Sequence, residues 1–134
     1  IRNYEYNCIV DLALEALEYN NIALINAPFT RGIRDMEYID KLKEKLKEKS
    51  ATLVVIWVET SPEIVRQRMI TRNSDRDTWK LENWDEYIGS CNFDIPQNLD
   101  DSNIKDDLLI FKNNNDEEFE GSMKDILEIL EKTI

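Results

Sequence analysis

The sequence contains no histidine and only two cysteines, Cys8 and Cys91. The absence of histidine excludes the Ser-His-Asp and Cys-His arrangements of nucleophilic catalysis. The two cysteines do not form a CxxC pair, so no zinc site or other metal site is expected. We therefore expect two free, packed thiols and a cytoplasmic location, because disulfides are rare in that compartment.

Basic residues and long apolar runs are also scarce. Lysine and arginine number 17 against 28 aspartates and glutamates, which gives a net charge of −11. Nucleic-acid and anionic-membrane partners are not expected, because both need a basic footprint. No apolar run is long enough to cross a bilayer, and no signal peptide is visible. Because the first residue is Ile1 rather than Met, we expect the sequence to be part of a longer chain.

Short apolar segments alternate with amphipathic helical patterns along the sequence. The apolar segments predict strands at 22–25, 53–58 and 108–111. The helical patterns predict helices at 4–19, 36–49, from 62 onward, 78–90 and 117–133. This alternation predicts one α/β domain over 1–134. Its three layers would be helices, a parallel sheet and helices again.

The segment after the second predicted strand has the features of a helix start. Thr60 or Ser61 is suited to cap the helix, and Pro62 fits its first turn. Glu63 follows Thr60 by three residues, which is the spacing of a capping box. The order of strand, cap and helix is typical of a strand in a parallel sheet and its crossover helix.

Four arginines follow this cap within eleven residues, and no lysine lies among them: Arg66, Arg68, Arg72 and Arg76. The last three are spaced by four residues, which places them on one side of the chain while it stays helical. Guanidinium groups bind phosphate oxygens at two points and keep their charge. The row predicts a phosphate-binding surface. The alternative is a solvated helix face that pairs with nearby acids such as Asp75 and Asp77.

Polar side chains follow each of the predicted strands. They are Asn26, Glu59 and Asn113. Ligands of parallel α/β sheets bind at the carboxyl ends of the strands, so these three residues are candidates for a binding site.

Three segments of the chain match the pattern of one known family. They are INAPF (25–29), VVIWVETSPEIVRQRMITRNSDRD (54–77), which continues into DTWKLENWDEYI (77–88), and LLIFKNNND (108–116). Together they resemble the C-terminal half of a P-loop kinase, in the group of nucleoside-kinase-like, gluconate-kinase-like and zeta-toxin-like phosphotransferases that is often labelled AAA-type ATPase. The resemblance implies an incomplete P-loop NTPase fold with an arginine lid at about 66–92.

The resemblance also implies roles for particular residues. Arg68, Arg72 and Arg76 would close over the triphosphate of ATP as catalytic lid residues, and Asn113 would lie near the adenine. ATP and Mg²⁺ would be the cofactors of the full-length parent protein, and a small molecule with a hydroxyl group would be the acceptor. The candidates on the acceptor side are Asn26, Arg31, Arg34 and Asp35. Asp35 has an alternative role as the cap of helix 36–49, and the two arginines have one as solvated loop residues.

The sequence lacks the GxxxxGK[ST] phosphate loop of this family. That loop does most of the electrostatic work in phosphoryl transfer, so we expect these 134 residues alone to be inactive. In the family the loop and its strand lie N-terminal to the matching region, so we expect an N-terminal segment or a second chain to complete the sheet. The alternative is a non-catalytic nucleotide-binding or protein-interaction module. Asn26 fits that alternative, because many relatives have an acid there.

Overall fold

The chain is a mixture of helices and parallel strands, as the computed structural model shows for residues 2–28, 33–94 and 108–133. The helices are α1 (Arg2–Ala16), α2 (Met36–Glu48), α3 (Pro62–Arg72), α4 (Thr78–Glu82), α5 (Trp84–Ser90) and α6 (Asp116–Thr133). The strands β1 (Val55–Glu59) and β2 (Leu108–Lys112) pair in parallel. The prediction of mixed helix and strand is confirmed, and the described sheet has two strands.

The prediction of a strand at 22–25 is wrong. Residues 22–26 form neither helix nor strand, and the Leu24 side chain is 79% exposed. A strand needs a neighbour that accepts and donates its ladder hydrogen bonds, and β1 and β2 pair only with each other in the described part of the chain. Apolar composition alone therefore does not make this segment a strand.

The predicted helix at 78–90 is divided into α4 and α5. The division lies at Asn83, whose backbone leaves the helical region at φ −121° and ψ 45°. The Asn83 side chain Nδ2 donates to the carbonyl oxygen of Trp79 at 2.9 Å. Asparagine competes for backbone partners in this way, and the competition ends the first of the two helices.

The described residues fall into two compact units, and the first holds those up to Val55 together with Leu108 and those from Leu130 onward. Its buried apolar side chains are Val10, Ile39, Leu46 and Val55. Lys49 Nζ pairs with Glu18 Oε1 at 2.7 Å on its surface. An exposed pair of this kind contributes little to stability, so the apolar side chains are the main source of it.

Helix α2 begins with a side-chain cap. Asp35 has an extended backbone, and its Oδ1 accepts hydrogen bonds from the N–H groups of Glu37 at 3.0 Å and Tyr38 at 3.4 Å. These are donors that the first turn of a helix leaves without an intrahelical partner. The predicted capping role of Asp35 is therefore confirmed.

Removal of this cap is expected to weaken the fold by a small, measurable amount. Asp35→Ala should lower the free energy of unfolding by about 1 kcal/mol. Asp35→Asn should lower it much less, because asparagine caps a helix about as well as aspartate. Urea unfolding followed by circular dichroism measures both. Equal losses in the two variants would show that the carboxylate charge, rather than the cap, stabilises α2.

The second unit comprises, among the described residues, Ile56 to residue 94 and Leu109 to Ile129. Phe111 of β2 is buried and meets Phe119 of α6 edge-on, with 5.3 Å between the ring centroids. The N–H of Lys112 donates to Ser122 Oγ at 2.9 Å, and this hydroxyl donates to the carbonyl oxygen of Lys112 at 3.3 Å. Helix α6 therefore satisfies the backbone of Lys112 at the end of β2.

None of the described helices combines the length and the apolar character that a membrane span requires.

Candidate functional site

The loops that follow the two parallel strands are joined by hydrogen bonds. The N–H of Asn113 donates to the carbonyl oxygen of Glu59 at 2.9 Å. Asn114 Oδ1 accepts from the N–H of Ser61 at 2.6 Å, and the Asn114 N–H donates to Glu118 Oε2 at 3.0 Å. These bonds fix the carboxyl ends of β1 and β2 against each other, where ligands of parallel sheets bind.

Helix α3 starts at this edge of the sheet. Ser61 is its N-cap, with Oγ accepting from the N–H of Ile64 at 3.4 Å, and Pro62 occupies the first turn. Of the two caps that the sequence allows, Ser61 is the one used. The cap directs α3 away from the end of β1 and so places its arginines.

The arginine row is only partly helical. Arg68 and Arg72 lie four residues apart on α3, so they share one side of it. Asn73 then adopts the left-handed conformation, with φ 50° and ψ 49°, and ends the helix. Arg76 lies beyond it, in the 3₁₀ turn Asp75–Asp77. Its position depends on that turn and not on helical spacing.

Arg72 is held by a buried carboxylate. Its Nε and Nη2 donate to Asp77 Oδ2 at 2.9 and 2.6 Å. The Asp77 side chain is 1% exposed, whereas that of Arg72 is 45% exposed. Thus the pairing that the solvated-face alternative predicts is present at Arg72. The guanidinium nevertheless keeps an exposed part with further N–H donors.

Two other basic side chains, those of Arg66 on α3 and Lys80 on α4, lie over aromatic rings. The guanidinium carbon of Arg66 lies 5.5 Å from the centroid of the Trp84 ring, and Lys80 Nζ lies 5.3 Å from that of Tyr87. The centroids of the two rings are 5.7 Å apart. The first of these cation–π contacts joins α3 to α5, and the second joins α4 to α5.

Arg68 and Arg76 differ from these three cations. Both are exposed, and neither has an ion-pair or ring partner among the residues that the structure describes. The segment from Arg66 to Lys80 has five basic and two acidic residues in a chain of net charge −11. The C-terminus of α3 adds about half a negative charge, which these cations outweigh. Within these fifteen residues the basic side chains therefore outnumber the acidic ones, and Arg68 and Arg76 are exposed among them.

The predicted acceptor residues belong to the first unit, whereas the arginine row belongs to the second. Asn26 is exposed in the segment without regular structure, and Arg34 is half-buried just before α2. Asp35 uses its carboxylate as a helix cap. Arg31 lies outside the described residues.

The Mg²⁺ that the resemblance implies belongs to the full-length parent protein, and it stays a prediction. Within ranges 2–28, 33–94 and 108–133, no three or more carboxylate, thiol or imidazole side chains are grouped so that they could hold a metal ion. Glu59 is the acidic residue with which β1 ends. A nucleotide-bound Mg²⁺ takes one or two protein carboxylates, with phosphate oxygens and water as its other ligands, so it does not require a group of three such side chains.

Sequence reasoning missed Asn114 and the burial of Asp77. Asn114 binds Ser61, which is 53 residues away, and no local pattern reports such a pair. Asp77 follows Arg72 by five residues across a helix end, so helical spacing does not bring the two together. The sequence signal for this turn is Asn73, because asparagine readily adopts the left-handed conformation that ends a helix. It does so here, with a φ of 50°.

Comparisons with protein-family models, with characterised proteins and with solved structures found no match to this chain.

Proposed function

We propose that this chain is part of an ATP-binding phosphotransferase that acts on a small molecule with a hydroxyl acceptor. The observation that carries the proposal is the local charge: Arg68 and Arg76 are exposed without an ion-pair partner in the described part of the chain, beside the clamped Arg72. Triphosphate is an anion with many acceptor oxygens, and guanidinium groups bind such oxygens at two points.

The position of this surface supports the same function. The arginine helix α3 directly follows β1, and its start is tied by Ser61 and Asn114 to the loop after β2. In the proposed complete fold, a three-layer P-loop kinase-like domain, further strands extend the sheet beside β1. The hydrogen bonds between Lys112 and Ser122 support the addition of strands beside β1 rather than beside β2. They occupy the backbone N–H and C=O of Lys112, so no further strand can pair with β2 at that residue.

The proposed roles follow from charge and hydrogen bonding. Arg68 and Arg76 donate to phosphate oxygens and neutralise charge that builds up on the transferred group. Arg72 adds a fixed guanidinium, and Asn113 lies on the adenine side. The acceptor residues are Asn26, Arg31, Arg34 and Asp35, of which Asp35 would have to combine binding with its capping role.

The proposal separates binding from catalysis. The 134 residues contain no GxxxxGK[ST] loop, so we expect them to bind ATP without transferring its phosphate. ATP turnover by the purified chain would contradict this expectation. The protein-interaction alternative predicts neither binding nor turnover.

Thermal unfolding with and without ATP tests the proposed function. A ligand that binds only the folded state stabilises it by about 2.7 kcal/mol at a hundredfold excess over its dissociation constant. We therefore expect the melting temperature to rise by several degrees as ATP is added and to saturate. Inorganic sulfate at equal ionic strength is the control for general salt effects. An unchanged melting temperature at millimolar ATP would remove the proposal.

A further inference from the structure

Asp77 is the most deeply buried charged residue in the described part of the chain. It ends the 3₁₀ turn that follows the left-handed Asn73, and the turn returns the chain to the end of α3. There its Oδ2 accepts from two nitrogens of one guanidinium, that of Arg72. The buried group is thus the carboxylate, and the group held at the surface is the cation.

The second oxygen of this carboxylate is not used. Asp77 Oδ1 is buried and finds no hydrogen-bond donor among the described residues. A buried oxygen without a donor costs free energy, and such a group in a folded protein calls for a specific explanation. Fold stability alone does not explain this aspartate, because a side chain whose polar atoms were all satisfied would stabilise the turn better.

Tyr87 lies within electrostatic range of this carboxylate. Burial raises the pKa of Tyr87, as do its hydrogen bond with Cys91 and the negative charge of Asp77. The phenol of Tyr87 therefore stays protonated, and Lys80 lies over its ring. Among the described residues, Arg72 is the cation that forms a salt bridge with this carboxylate.

We propose that Asp77 is a positioning residue that fixes the guanidinium of Arg72 for the phosphate groups of a nucleotide. This inference rests on the proposed function and adds to it a division of labour along the arginine row. Arg72 is held before the ligand arrives, and Arg68 and Arg76 close on the ligand from solvent. A guanidinium held in advance loses less side-chain entropy on binding, so each of its hydrogen bonds contributes more.

The sign of the effect distinguishes positioning from simple neutralisation. If Asp77 only cancelled the charge of Arg72, its replacement by a neutral residue would strengthen the binding of an anion. If Asp77 positions Arg72, the same replacement weakens binding although the chain becomes less negative. Asp75 is the matched control, because it is an exposed acid of the same 3₁₀ turn.

The test is equilibrium binding of ATP to the 134-residue chain in wild type, Asp77→Asn and Asp75→Asn. We expect Asp77→Asn to bind about tenfold more weakly, within the usual range of coupling between contacting residues. Asp75→Asn should bind as well as wild type or better. In the Arg72→Lys background, Asp77→Asn should have little further effect, because a lysine cannot make the two-point contact. A merely structural role would show the same loss in both backgrounds.

Arg72→Lys alone keeps the inference testable if Asp77→Asn does not fold. It leaves a cation beside the buried carboxylate, and it too should bind ATP about tenfold more weakly. Wild-type affinity in Arg72→Lys, or equal or tighter binding by Asp77→Asn, would overturn the positioning role while the proposed function stands. Absence of ATP binding by the wild type would overturn both.

Discussion

Replacing Arg68 and Arg76 together by alanine is expected to weaken ATP binding by about 30-fold, because each lost charge-assisted hydrogen bond costs on the order of 1 kcal/mol or more. The fold should be unaffected. Neither side chain has an ion-pair partner among the described residues, and the Arg72–Asp77 pair remains in place. The double variant therefore separates ligand contact from stability more cleanly than Arg72→Ala, which would leave a buried carboxylate unpaired.

The matched control removes two positive charges elsewhere. Lys45 and Lys124 are exposed on α2 and α6, and their replacement by alanine changes the net charge from −11 to −13, as the arginine pair does. Binding by competition with a fluorescent ATP analogue should be nearly unchanged in this control. A loss of similar size in both double variants would show that ATP responds to overall charge and not to the arginine row.

Ile39→Ala is expected to lower the free energy of unfolding by about 3 kcal/mol, which is a typical cost of an isoleucine-to-alanine change in a core. Ile39 is 1% exposed and lies on the inner face of α2. Its removal takes apolar surface out of the first unit and leaves a cavity that the neighbours fill only in part. Urea unfolding followed by circular dichroism measures the loss.

Ile22→Ala is the comparison for this prediction. Ile22 is 43% exposed in the segment that forms no strand, so its loss should cost less than about 1 kcal/mol. Equal losses at the two positions would mean that Ile22 is buried in solution, against another part of the protein or a second chain. That outcome would support the prediction that residues 22–25 form a strand.

The regular elements could be predicted because their signals are local. The stripe of α2, the Ser61-Pro62 start of α3 and the apolar runs of β1 and β2 each lie within a few residues of the element they specify. The strand at 22–25 could not be judged in this way. A strand exists through its neighbour, and the apolar pattern of one segment does not reveal whether a neighbour pairs with it.

Local sequence signals likewise predict some features of the candidate site and not others. The side of α3 that Arg68 and Arg72 share follows from sequence spacing, and the capping role of Asp35 follows from its residue type and its place just before a helical pattern. The pairing of an arginine with Asp77 is also predicted from the sequence, but the two-point contact of Arg72 with a buried Asp77 is not, because it depends on the left-handed turn at Asn73 that carries Asp77 back under α3. The tie between Ser61 and Asn114 requires the pairing of two strands that are far apart in sequence. Tertiary geometry, rather than residue type, decides both.

The central claim is that this acidic chain binds ATP through its arginine segment, and titration calorimetry of the wild type with ATP at low and at high salt tests it most directly. We predict one saturable site whose affinity falls as salt is added, because exposed cations bind the ATP and salt screens them. No saturable heat at low salt would contradict the claim. An affinity that does not change with salt would place ATP at another site.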